Sequence, residues 1–175
     1  GKGKDAMEAK SKILWKTPGP QPNGLQAAAD GLWVIDQLDN KVYKLNYEDG
    51  GVLISFNTRA NHASGITEEP GGKVVWIAST FTLEYLRYDA EAGEFLGALL
   101  LPGNLKTGSH GLEWREGTLW SALPPLAAIL QLDPKDGSVL HSIPVPVDEK
   151  ISKASRPHGL AWASDGMLWC QETNH

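Results

Sequence analysis

The stretch "PNGLQAAADGLWVIDQLDNKVYKLNYEDGGVLISFN", residues 22–57, divides into short apolar runs separated by turn residues. A Gly-Leu run, "LWVID", "KVYKLN" and "VLISFN" are too short for stable helices and carry the β-branched and aromatic residues that suit a pleated surface. Between them stand "ADG", "LDN" and "EDGG", whose Asp, Asn and Gly adopt the backbone angles of tight turns. The segment reads as a four-stranded β-meander.

The pattern recurs in "ASGITEEPGGKVVWIASTFTLEYLRYDAEAGEFLGALLLP", in "SHGLEWREGTLWSALPPLAAILQLDPKDGSVLHSIPVP" and in the tail "PHGLAWASDGMLWCQETNH". Gly24, Gly65, Gly111 and Gly159 follow one another after 41, 46 and 48 residues, and Trp33, Trp76, Trp120 and Trp169 keep the same phase. Four strands in about 40 residues is the size of a propeller blade. A β-sandwich does not require the same Gly and Trp in every unit, and no part of the chain has helical periodicity. The expected fold is all-β: a propeller of four-stranded antiparallel blades at about 22–58, 63–102 and 109–146, with a half blade at 157–175. Ahead of them, "KILWKT" at 12–17 reads as the outer strand of a preceding blade, and 1–11 as a solvated, flexible leader. Completion of the ring is expected from a second copy of the chain, making a homodimer, or from further residues of a longer propeller; a small four-bladed ring is the third arrangement.

Composition narrows the function. The chain is 41% hydrophobic and 21% charged, with net charge −5 and its basic residues scattered. Phosphate binding needs Lys and Arg clustered on one face, so nucleic acid is not an expected partner. No apolar run approaches the ~20 residues of a membrane-spanning helix, so no membrane partner is expected either. The single Cys170 excludes an intrachain disulfide and suits a reducing compartment, while a processed exported protein is equally compatible.

No nucleotide-binding loop, "HExxH" helix, "CxxC" pair or "GxSxG" elbow is present. In a propeller the chemistry gathers where the innermost strands meet. The residue before each inner-strand glycine is polar: Asn23, Ser64, His110 and His158. Converging on one axis, they could bind a divalent metal or share acid–base work, since a neutral imidazole both ligates metals and titrates near neutrality. Alternatively they brace a tight entrance turn through side-chain bonds to backbone. Glu172, after the second strand of the last repeat, is a candidate to orient His158 or to ligate a metal with it. The repeated tryptophans are expected to fill the space between blades. Trp114 and Trp162, present in only two repeats, are candidates with Ser64 for a ligand-contacting wall. His62, in a linker, and His175, at the chain end, carry little weight.

The "PNGL", "HGLxW" and "LW" motifs, over residues 12–175, resemble the propeller superfamily of the senescence-marker/gluconolactonase family, the streptogramin B lyases and the NHL-type repeat proteins. Gluconolactonase-like members hold a divalent cation at the channel mouth, one ligand being an Asn in an "NGL" motif that Asn23 matches. Streptogramin lyases carry catalytic histidines in "HGI"-like motifs and a glutamate after a "WFTE"-like strand, which His110, His158 and Glu172 match. The resemblance implies a small-molecule ligand, with catalytic residues His110, His158 and Glu172 and a cation such as Ca, Mg or Zn held among Asn23, His110, His158 and Glu172. The expected activity is a metal-assisted hydrolase or lyase acting on a lactone or cyclic ester. A non-catalytic propeller binding a small ligand or a protein is the alternative.

Overall fold

Runs of apolar residues without alternation become strands covered on both faces, and alternating runs become strands with one wet face. The computed structural model describes residues 10–146 and 156–173. Strands β1 (Pro22–Ala28), β2 (Gly31–Asp36), β3 (Lys41–Leu45) and β4 (Val52–Asn57) form an antiparallel sheet in sequence order. So do β5 (Ala63–Glu68), β6 (Val74–Ser79), β7 (Glu84–Asp89) and β8 (Phe95–Leu100), and then β9 (Leu112–Arg115), β10 (Thr118–Leu123), β11 (Ala128–Leu132) and β12 (Val139–Pro144). A two-stranded sheet of β13 (Pro157–Trp162) and β14 (Leu168–Glu172) completes the described strands. The chain is therefore all-β, with three full propeller blades and one partial blade. Strand β2 is buried along nearly its whole length, while β4, β8 and β12 are mostly exposed.

One turn design closes each full blade. Asn46, Asp89 and Asp133 each donate their backbone N–H to the carbonyl five residues on. Each also accepts, at its own carbonyl, the N–H of a glycine four residues on: Gly50, Gly93 and Gly137. Those glycines have φ of 71°, 67° and 76°, the left-handed region that a Cβ disfavours. The "DG" and "AG" of the sequence are thus geometric requirements.

Inner strands stand side by side, β1 against β5, β5 against β9 and β9 against β13, so the blades are arrayed in chain order around a common axis. Hydrophobic cores lie in the seams. Trp33, Ile35 and Val42 of the first blade pack against Ile66, Ile77 and Leu86 of the second. Trp76, Ala78 and Tyr85 of the second pack with Leu112, Leu119 and Leu130 of the third. Trp33, Trp76 and Trp120 thus fill seams as expected, at 0%, 2% and 9% exposure, whereas Trp169 is 68% exposed because no described residue covers its face of β14.

The segment 12–17 departs from expectation. It forms no strand; Trp15 instead lies across the outer face of the first blade on Val34, Tyr43 and Leu45, donating its indole N–H to Tyr47 O at 3.2 Å. One large aromatic anchors the segment by area, so no ladder of hydrogen bonds is needed. Residues 1–9, most of the expected leader, fall outside the described residues, as does His175.

Candidate functional site

The site begins with three glycines. A Cβ on Gly65 would sit on the carbonyl oxygen of His110, one on Gly111 on that of His158, and one on Gly24 at 2.9 Å from the Cα of Gly65. Lacking Cβ atoms, the inner strands approach backbone to backbone, and Gly111 donates its N–H to His158 O at 2.7 Å. That approach gathers the residue before each glycine at one end of the axis. Asn23, Ser64, His110 and His158 line a cavity of about 400 Å³ together with Gln171 and Thr173.

The four residues are not equivalent. Asn23 Nδ2 donates to Gln37 Oε1 at 2.9 Å and lies 3.4 Å from Ala63 O. Ser64, 3% exposed, donates to Ser109 O at 2.8 Å and lies 2.5 Å from Thr80 Oγ1. Both therefore brace the entrance. His158 Nδ1 lies 2.9 Å from Arg156 O and 3.1 Å from Thr173 Oγ1. A carbonyl only accepts, so Nδ1 carries the proton and the bare lone pair is left on Nε2. His110 has no side-chain hydrogen bond to any described residue. The strand registers explain why: Gln37, Thr80 and Thr173 each follow the second strand of their blade, and the corresponding residue of the third blade is Pro124, which has no polar side chain.

His110 and His158 stand with ring centroids 4.2 Å apart and planes tilted by 54°. Burial pushes the His110 pKa down to about 4, assisted electrostatically by the neighbouring His158, His62 and Arg156. His110 is therefore a neutral imidazole at physiological pH, with one N–H donor and one acceptor.

Glu172 reaches His158 indirectly. Its Oε1 accepts the backbone N–H of Arg156 at 2.9 Å, and the carbonyl of that same residue holds the His158 ring. Among the described residues, no group of three or more His, Cys, Asp and Glu is placed to hold a metal ion. Of the expected set, His110 and His158 bring two imidazoles side by side, Asn23 lines the same cavity with its Nδ2 engaged, and Glu172 Oε1 accepts the Arg156 N–H.

Trp114 and Trp162 are absent from the mouth. Trp114 stacks on Trp76 in the seam between the second and third blades, at 6.4 Å between centroids. Trp162 meets Trp120 edge-on at 5.2 Å in the next seam, under the Arg115 guanidinium at 4.2 Å. Their period explains the placement: each lies three residues after its inner-strand glycine, where Glu68 receives the Trp33 indole N–H in the seam between the first and second blades.

Thr173 and Pro124 were missed from the sequence, and His62 was given little weight. The repeat could have shown the first two, because both occupy the position of Thr80. His62 adjoins the mouth, stacked on Phe81 at 4.4 Å and 12°.

No protein-family model matches this chain, and no curated protein sequence does either. Solved structures do. A streptogramin B lyase superposes with TM-score 0.63 at 20% identity, over 85% of this chain and 47% of the lyase. A catalytically inactive histidine-to-alanine variant of the virginiamycin B lyase of Staphylococcus aureus, solved with quinupristin, gives 0.62 at 20% identity, over 87% and 49%. The fold is that of these propellers. The chain spans about half the length of either lyase. It also covers 99% of the computationally designed Ika4 protein, at TM-score 0.55 and 13% identity over 93% of this chain. At such identities the likeness concerns the fold and leaves chemistry to the site. No helix among the described residues is long and apolar enough to cross a membrane.

Proposed function

We propose that the mouth is an acid–base site that opens a lactone or cyclic ester, as a lyase or a hydrolase. The observation that carries the reading is the His110–His158 pair: one ring oriented through Arg156 O with Nε2 bare, the other neutral and unpartnered 4.2 Å away. His158 Nε2 takes a proton. In an elimination it comes from the carbon β to the ester's alkyl oxygen, so that a C=C bond forms as the alkyl C–O bond breaks and the carboxylate leaves. In a hydrolysis it comes from water, whose oxygen adds to the carbonyl carbon and expels the ring alkoxide, which takes the proton back. His110 donates its N–H to the substrate carbonyl oxygen, a role that a neutral imidazole fills without losing charge. Glu172 acts as a positioning residue through the Arg156 peptide. Support also comes from the lyase likeness, since loss of one histidine leaves that enzyme inactive.

A divalent cation held among Asn23, His110, His158 and Glu172 is a separate proposal, and Lewis-acid polarisation is the chemistry it would supply. Calorimetry with Mg, Ca and Zn tests it, and absence of binding rejects it.

The experiment is turnover of a panel of lactones and cyclic depsipeptides with and without chelator. Ring opening that survives chelation and falls at least ~100-fold in His158→Ala is expected. No turnover by the wild type across the panel, with binding retained, favours the non-catalytic alternative, to which the hydrogen-bonded Asn23 and Ser64 lend support. The expected second copy in the ring is tested by solution mass: a dimer supports it and a monomer rejects it.

A further inference from the structure

The same end of the molecule carries a feature that the acid–base pair does not use. The loops at 37–40, 80–83 and 124–127 surround the mouth, because Gln37 bonds Asn23, Thr80 adjoins Ser64, and Ala122, at the end of β10, accepts the His110 N–H. Each loop exposes one large apolar side chain: Leu38 at 61%, Phe81 at 57% and Leu126 at 47%. A single exposed hydrophobe needs no explanation, but one on each of three successive blades around one cavity does. At the opposite end, the blade-closing turns "NYEDGG", "DAEAGE" and "DPKDGS" expose one large aromatic, Tyr47 at 44%, whose hydroxyl is tied to the backbone of Ala28.

The collar is rigid. Phe81 donates its backbone N–H to Asn61 O at 3.2 Å, Thr80 donates to His62 O at 3.3 Å, and the His62 ring stacks on one face of Phe81. Leu126 sits in a single 3-10 turn, Pro124–Leu126, whose two prolines limit its conformations. A preorganised apolar surface loses little entropy when a ligand lies on it. None of the three loops contains Lys or Arg, and the one carboxylate, Asp39, is occupied by the Lys41 N–H and the Tyr43 hydroxyl. The collar therefore suits an uncharged body.

We propose that Leu38, Phe81 and Leu126 form a specificity collar for a neutral amphiphile, whose alkyl or aryl body rests on the rim while its polar ring reaches His110 and His158. This rests on the ring-opening reading for the polar end only.

The test is a calorimetric series: γ-butyrolactone, γ-octalactone and γ-dodecalactone, beside heptan-2-one and undecan-2-one, which have no ester to open. Half-burial of the chain predicts about twofold tighter binding per methylene in both series, so roughly tenfold or more from octalactone to dodecalactone. In the exposed-site variant Leu38→Gln/Phe81→Gln/Leu126→Gln the dependence on chain length should vanish, and in Phe81→Ser alone it should shrink. A slope unchanged in the triple variant overturns the collar, as does turnover or binding of lactones indifferent to chain length. Collar-dependent slopes in both series without any ring opening uphold the collar and remove the catalytic reading.

Discussion

The first two blades and the last two use the same repeat positions with opposite outcomes. In the first half, the Trp33 indole N–H reaches Glu68 at 2.5 Å and that of Trp76 reaches Glu69 at 2.8 Å. Lys44 and Arg87 lie over the two rings, at 4.8 and 5.8 Å. In the second half, Arg115 occupies the position of Glu69 and Gln131 that of Lys44, so Trp120 has neither the acceptor nor the cation, and the Arg115 guanidinium lies over Trp162 instead. The buried indole N–H groups of Trp114, Trp120 and Trp162 have no partner among the described residues. At the mouth the division narrows to the third blade: Asn23, Ser64 and His158 are bonded, whereas the His110 side chain has no hydrogen bond to any described residue. Saturated polar groups rigidify a blade, while an unsaturated one keeps its bonding capacity for something that binds.

The largest expected break in this comparison is steric. Gly65→Ala or Gly111→Ala drives a Cβ into a neighbouring backbone carbonyl and should cost about 3 kcal/mol or more, read as loss of folded protein on denaturation. Gly159→Ala meets only the Gln171 side chain, at 3.4 Å, and should cost below about 1 kcal/mol. Equal costs at Gly65, Gly111 and Gly159 would contradict the close approach that builds the mouth.

Next comes the indole pair. Trp33→Phe strips Glu68 of its donor, while Trp120→Phe removes a donor that had no acceptor. Both lose similar area, so urea melts should place Trp33→Phe about 2 kcal/mol below Trp120→Phe.

A smaller effect concerns pH. Glu113 has no hydrogen bond or ion pair among the described residues, and burial pushes its carboxyl up to about 7. Its raised pKa adds stability fully present below pH 4.5 and lost as pH rises through 7. The depressed His110 pKa does the reverse: its contribution is present above pH 6.5 and lost as pH falls through about 4. Between those limits the two slopes oppose. Glu113→Gln should raise stability above pH 7 by on the order of 1 kcal/mol, discounted for the partial exposure of the carboxyl. It should also uncover a decline in melting temperature from pH 6.5 towards 4. An unchanged pH profile in Glu113→Gln would place Glu113 in water.

Much of this architecture is legible in the sequence because it is periodic. The Gly–Trp phase sets the inner strands, and the Asn46, Asp89 and Asp133 turns follow from local chemistry alone. Legibility stops where a residue's role depends on the neighbouring blade. Trp162 reads as a ligand-contacting residue until the register sets it against Trp120, and Trp15 reads as part of a strand until its indole finds Tyr47 O. His110 and His158 share a motif, yet only the residue after each second strand, Pro124 or Thr173, separates an unpartnered ring from an oriented one.

That separation is the central claim, and histidine-selective 15N NMR across pH 3.5–8 measures it without a substrate. His110 should stay neutral down to a midpoint near 4, and neutral His158 should carry its proton on Nδ1. A His110 midpoint at 6.5 or above, or His158 protonated on Nε2, would contradict it.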